Sequence, residues 1–288
     1  MSKIAFVSGG DILLPELLKM FDTSWLKVFT FFVVWAVIWL PIAIVISRFL
    51  DWQPGKILTP QQKLILLGSL YLLSPIVFLW KIESERFSFA SLGFSFQPNL
   101  LVSMLSGLAL SLISLIIIFV LESIFDLVSW HWERSKQLFS LILPILALSL
   151  FISVIEEVIF RGYIFNTFVE DYPCWFAATI SSLIFASLHL IWERKETLPQ
   201  IPGLWLMGMI LVGARLIDDG NISLAIGLHG GWIWGLTCID SAGLLSYKQQ
   251  HSWLTGINRQ PLAGIAGISC LIITGLALWL VYGYGGVV

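Results

Sequence analysis

The sequence predicts an all-α, polytopic integral membrane protein, a helix bundle of about eight transmembrane helices. Three observations predict it. Of 288 residues, 58% are hydrophobic and only 12% charged, and the mean hydropathy is +0.90. A soluble domain carries about 25% charged residues, so the solvent for most of this chain is lipid. The apolar residues, including 14 Trp and 20 Phe, are gathered into runs separated by short polar connectors. Each run approaches the ~20 residues a membrane helix needs.

In order, Leu13–Leu26 places Leu14, Leu17, Leu18, Phe21 and Trp25 on one face and Glu16, Lys19, Asp22 and Thr23 on others. It reads as an amphipathic helix at the membrane surface or as the exposed start of the first span. Spans follow at Val28–Ile46, Leu64–Trp80, Leu100–Leu121, Leu138–Ile155, Cys174–Trp192, Ile201–Ile217, Ile222–Ile239 and Pro261–Val281. Turn chemistry separates them at Gln53-Pro54-Gly55, Gln97-Pro98-Asn99 and Asp218-Asp219-Gly220-Asn221. Pro41, Pro75 and Pro144 fall inside runs, which bundles tolerate when neighbours satisfy the freed carbonyls. The expected organisation is an N-terminal region (1–137), a core (138–240) and a C-terminal loop and last helix (241–288).

Composition excludes several classes of function. The net charge is −2 and there is no basic tract, so nucleic acid is not an expected partner; the bilayer is. The three cysteines, Cys174, Cys238 and Cys270, are far apart and read as small apolar residues, not as a disulfide framework or thiolate site. No internal repeat is visible, which argues against a secondary transporter.

Chemistry concentrates at Glu156-Glu157-Val158-Ile159-Phe160-Arg161-Gly162. A charged group at the centre of a membrane helix costs ~2.5–3.5 kcal/mol, so three together require a reason. Glu157 and Arg161 are four residues apart and can pair. Glu156 lies about 100° around the helix from Glu157 and has no such partner nearby in the sequence. Beyond the charges the sequence resumes as Tyr163-Ile164-Phe165, so one helix from about Leu138 to Phe168 is expected, with the glutamates well inside it.

Two of the chain's four histidines lie in spans, His189 one turn after Phe185, and His229 within Gly227-Leu228-His229-Gly230-Gly231. Small residues allow close helix approach, so His229 is expected to face a neighbouring helix. Glu156, His189 and His229 on three spans make a plausible convergent site. Two His and one Glu with an open position match the ligands of several catalytic zinc sites; the same groups could activate water without metal. The other polar candidates read as architecture. His131 and His251, with Trp130, Trp132, Trp192 and Trp253, fit the interface. Glu122 and Asp126 are expected to be solvated at the end of the third span, and Asp218-Asp219 to form a turn.

Glu156-Glu157…Arg161, Phe185…His189 and a third motif opening at His229 resemble the signature of the CPBP family, which comprises type II CAAX prenyl proteases and bacteriocin-processing membrane proteins. The resemblance spans roughly Leu138 to Ile239. It implies an intramembrane endopeptidase acting on a membrane-associated protein or peptide. Glu156 and His189 would polarise the attacking water, His229 would act as ligand or oxyanion stabiliser, and Arg161 would hold Glu157. The implied cofactor is a divalent metal, zinc first, held by Glu156, His189 and His229; a metal-free glutamate mechanism is the other form. The implied setting is a multi-pass protein of a bacterial plasma membrane or an equivalent organelle membrane. The chain departs from the pattern at one position. Four residues after the third-motif histidine, where the family usually has Asn or a similar polar residue, stands Ile233. A non-proteolytic scaffold or chaperone is therefore the alternative.

Overall fold

The computed structural model describes residues 23–53, 56, 58–85, 88–94, 99–192, 194–248 and 252–282. The expected surface helix lies outside the described residues up to Asp22, as do parts of the first two turn motifs and His251.

Each expected span corresponds to a helix. They are α1 (Ser24–Phe49), α2 (Pro60–Glu85), α3 (Leu100–Ile124), α4 (Ser135–Glu157), α5 (Phe165–Asp171), α6 (Cys174–Leu188), α7 (Ile201–Ile217), α8 (Ser223–Ser241) and α9 (Ile265–Tyr282), with α4 and α5 joined by a π-helical segment, Val158–Ile164. The single long helix expected around the glutamates is thus present, running from Ser135 to Asp171 with a wider turn in its middle. Among the described residues, six helices are long and apolar enough to cross a membrane, and Ile265–Val281 is a shorter apolar one. The chain is a multi-pass membrane protein. α8 is not among the six. Its Gly, His and Asp lower its hydropathy, and almost the whole of its first half is buried, as befits a helix surrounded by protein.

The chain divides into two compact units. The first holds α1, α2 and residues 167–173. There the indoles of Trp35 and Trp39 donate from α1 to Leu70 O (3.3 Å) and Ser69 Oγ (3.0 Å) on α2. The start of α1 is tied to residues 167–173: Ser24 Oγ donates to Thr167 O at 2.7 Å and Ser24 N–H to Asp171 Oδ2 at 2.9 Å.

The second unit holds residues 86–166 and 174–288. α8 is its axis, packed most extensively against α3, then α4, and also against α7. The reason is the small residues. A Cβ on Gly107 would run into the backbone oxygen of Leu224, and one on Gly227 into that of Met104. Gly107 and Ser111 on α3 meet Gly227 and Gly231 on α8, two small-xxx-small pairs crossing each other. A two-stranded antiparallel ribbon, β1 (Val128–Trp130) with β2 (Leu245–Tyr247), joins the chain just after α3 to the chain just after α8, Val128 opposite Tyr247.

One expectation is overturned. Asp126 is exposed and pairs with Lys248, but Glu122 is buried, only 4% exposed. It lies on the face of α3 that carries Leu115 and Phe119, the face turned into the bundle, and not on the solvated side.

Candidate active site

The glutamates sit at the C-terminal end of α4, on the threshold of the π-helical segment. A π-helix forms i→i+5 bonds and frees backbone groups, so it persists only where others satisfy them. Phe160 O takes the N–H of Phe165 and the hydroxyl of Ser181 on α6 (2.8 Å). The oxygen of Arg161 accepts from Arg215 Nη1 of α7, whose Nε also donates to Gly220 O at 3.0 Å. Arg215 thereby fixes the π segment and the turn after α7 together. Gly162 fits because a Cβ there would press on Leu92 O at 2.9 Å.

Within this frame the four polar side chains of α4, the π segment and α8 converge. Glu157 and Arg161 are 0% exposed, His229 2% and Glu156 7%. Glu157 Oε1 accepts from Arg161 Nη1 at 3.0 Å, the pair the spacing predicts. The same oxygen accepts from His229 Nδ1 at 2.7 Å, which the sequence does not show. That bond places the Nδ1 proton and leaves Nε2 pointing towards Glu156, 3.5 Å from its Oε2. A carboxylate that fixes the tautomer of an imidazole in this way also stabilises the imidazolium when it forms.

Phe185 is the wall shared by both histidines. The His189 ring lies 4.8 Å and the His229 ring 5.8 Å from its centroid, each edge to face. The Arg161 guanidinium lies 4.5 Å from the same ring, so Phe185 also disperses the charge that Glu157 does not neutralise. His189 is half-buried in the 3₁₀ turn after α6, and its Nδ1 donates to Phe185 O at 2.9 Å. Its Nε2 is left as the lone-pair nitrogen. His189 thus reaches the same wall without joining Glu156 and His229 in a donor group. Among the described residues no three His, Cys, Asp or Glu side chains are grouped to hold a metal ion. Of the expected ligand set, Glu156 and His229 face each other at 3.5 Å, and His189 lies against the shared Phe185 wall.

The remaining candidates fall out as architecture. Asp218 accepts from Ser103 Oγ (2.6 Å) and the Leu224 N–H (3.3 Å), closing a turn in which Asp219 and Gly220 have positive φ. Burial holds its carboxyl above the usual range against those hydrogen bonds. His131 contacts Ser246 and Glu133 beside the stacked Trp130–Trp132 pair. The indole of Trp232 donates to Ser114 Oγ (3.2 Å) and that of Trp234 to Ile142 O (2.9 Å). Neither indole is free to stand in for the polar group missing at Ile233. The sequence gives Arg215 no role beyond the texture before the third motif and does not point to Ser181; the unusual cost of an arginine near the end of an apolar helix is the signal that marks the former.

These features define a buried acid–base cluster inside a multi-pass helical membrane protein. Residues 137–235 match the family described as type II CAAX prenyl endopeptidase Rce1-like. The chain is also 33% identical over 96 residues to an "Uncharacterized 24.3 kDa protein" of Escherichia coli, a match covering 33% of this chain and 42% of that protein. The chain thus spans about two fifths of the length of the curated relative it matches. No solved structure matches.

Proposed function

We propose that the protein is an intramembrane endopeptidase of the CAAX-protease type, hydrolysing a peptide bond of a membrane-associated protein or peptide in a bacterial plasma membrane or its organelle equivalent. The observation that carries this reading is the Glu157–His229–Glu156 line, in which one buried carboxylate orients an imidazole whose free nitrogen faces a second carboxylate. Glu156 is the general base. It takes a proton from water as the water oxygen bonds to the scissile carbonyl carbon, and later passes that proton to the amine as the C–N bond breaks. His229, held by Glu157 and able to carry a proton on Nε2, stabilises the oxyanion between those steps. His189 offers its free Nε2 to the water. The 3.5 Å separation of Glu156 and His229 suits groups that tighten on a substrate. Zinc, as a polarising ion, would draw on Glu156, His229 and His189. The steps above use the chain's own groups.

The test is cleavage of a reporter peptide by purified, folded protein and its Glu156→Gln, His189→Ala and His229→Ala variants, with element analysis of the same samples. Loss in the Glu156 and His229 variants is expected; full cleavage by all three would sink the proposal. One observation favours the second reading, a non-proteolytic scaffold or chaperone. Ile233 replaces a polar group, and both neighbouring indoles are engaged elsewhere. Under that reading Glu156→Gln would still complement a deletion strain.

A further inference from the structure

The β1–β2 ribbon carries a second polar constellation, and His131, which takes no part in the cluster above, is its centre. His131 stands directly after β1, Ser246 lies in β2 and Glu133 lies in the 3₁₀ turn Trp132–Arg134. The imidazole Nε2 is 3.1 Å from Ser246 Oγ, and Nδ1 is 3.4 Å from Glu133 Oε1. A hydroxyl, an imidazole and a carboxylate in that order are the parts of an activated serine nucleophile. The carboxylate holds the proton on Nδ1, and Nε2 is left to take the proton of Oγ.

The backbone of the ribbon fixes this order. Ser129 pairs with Ser246, and the His131 N–H donates to Leu244 O at 2.8 Å, so His131 and Ser246 are diagonal neighbours on one face. Arg134 Nη1 donates to Gly243 O at 3.1 Å and ties the turn bearing Glu133 to the chain entering β2. The Lys248 N–H donates to Leu127 O at 2.9 Å, so the bonded pairs fall on alternate residues. Tyr247 stands between two of them and turns its N–H away from β1. That donor, next to Ser246 on the open edge of a two-stranded sheet, is placed for the oxygen of an attacked carbonyl.

The surroundings select the substrate. Ser246 and Glu133 are exposed and His131 is half-buried, so water and a substrate can reach all three. The ribbon follows the ends of α3 and α8 beside the stacked Trp130–Trp132 pair, whose outer ring, Trp132, is exposed. Such aromatics mark the headgroup level of a membrane. An amphiphilic ester presents its carbonyl at that level and keeps its chain in the hydrocarbon. Its alcohol also leaves readily, which suits an imidazole whose carboxylate partner is screened by water.

We propose that Ser246 and His131, positioned by Glu133, form a second catalytic site that hydrolyses acyl esters at the membrane surface. Ser246 Oγ bonds to the carbonyl carbon as its proton passes to His131 Nε2. The tetrahedral oxyanion then collapses, the bond to the alcohol oxygen breaks, and the alcohol leaves with the Nε2 proton. Water gives a proton to Nε2 as its oxygen attacks the acyl-Ser246 ester, and the carboxylic acid departs as that proton returns to Oγ.

The test uses the full chain in phosphatidylcholine nanodiscs. A fluorophosphonate probe with mass spectrometry locates the nucleophile, and a nitrophenyl ester of a fatty acid reports turnover. An adduct on Ser246 is expected, lost in Ser246→Ala and kept in Ser129→Ala, which removes the hydroxyl opposite. His131→Ala should slow ester turnover on the order of 10²-fold. Glu133→Gln should slow it about tenfold, because its carboxylate is exposed, and Glu133→Asp should recover part of that loss, which a merely structural role would not. Fatty acid released from the nanodisc phospholipid identifies a bilayer lipid as the ester source, and turnover of the nitrophenyl ester alone identifies a free amphiphile; both support the site. An unlabelled Ser246 in the parent, or labelling and turnover unchanged in His131→Ala, overturns it. None of these readouts involves peptide cleavage, so they stand apart from the endopeptidase proposal.

Discussion

Replacing Glu157 with Ala removes the acceptor of two buried donors at once, Arg161 Nη1 at 3.0 Å and His229 Nδ1 at 2.7 Å. Both donors are essentially inaccessible to water, so neither can recover the lost bond from solvent. Breaking a buried ion pair from one side costs about 3–5 kcal/mol, because the remaining charge stays buried. A hydrogen bond to a charged group adds about 1.5–3 kcal/mol, but the two bonds share one oxygen and do not sum. The expected loss is about 3–5 kcal/mol, a large share of the ~5–15 kcal/mol that holds a folded protein together. Glu156→Gln keeps the shape of the side chain and should change stability by less than about 1 kcal/mol. The assay is denaturant unfolding of the parent and both variants in one detergent, followed by circular dichroism and tryptophan fluorescence. If Glu157→Ala unfolds within 1 kcal/mol of the parent, or Glu156→Gln falls as far as it does, the division into a structural and a reactive carboxylate is wrong.

Arg215→Met should leave Arg161 O and Gly220 O without their donor, at about 1–3 kcal/mol for each stranded group, and lower the thermal midpoint; an unchanged midpoint would show that Arg215 does not hold the π segment. Gly227→Leu places a side chain against the backbone of Met104 where no room exists, so the yield of monodisperse protein on size-exclusion chromatography should collapse. Ile233→Asn adds a donor one turn after His229 and should raise kcat/KM on a reporter peptide, on the order of 10²-fold if it reaches the oxyanion. A flat response to Ile233→Asn in an active enzyme would mean that His229 alone serves that role.

The positions of the spans were legible because burying a run of apolar residues in lipid needs no partner to be specified, and all eight runs became helices. The Glu157–Arg161 pair was legible for a related reason: helical spacing fixes an i,i+4 contact before any tertiary structure exists. What was not legible depends on register between helices. The 2.7 Å bond from His229 to Glu157 arises because Gly107 and Gly227 let α3 and α8 touch and α8 in turn meets α4. No pattern within α8 says which glutamate its histidine will find. The π segment was hidden similarly. Nothing local to Val158–Ile164 demands a wide turn, and its extra acceptors are satisfied by Ser181 and Arg215 from other helices. Glu122 was misread because its place at a helix end suggests solvent, while α7, α8 and α9 close over it.

Three ionisable groups in one stretch of a membrane helix become intelligible once their burdens are separated. Glu157 is fully buried and accepts from two donors that carry or can carry positive charge, so its charge is compensated and its geometry fixed. Arg161 is held by Glu157 on one side and the Phe185 ring on another, and its backbone oxygen anchors the π segment. Those two residues stabilise the helix, and Glu156 is the carboxylate that faces Nε2 of His229 at 3.5 Å. A general base has to gain and lose a proton on every turnover. Glu157 pairs with Arg161 at 3.0 Å, and Glu156, the residue before it, faces Nε2 of His229 at 3.5 Å. Adjacent glutamates are thus a way to place a compensated charge and a usable one side by side in a medium that tolerates neither alone.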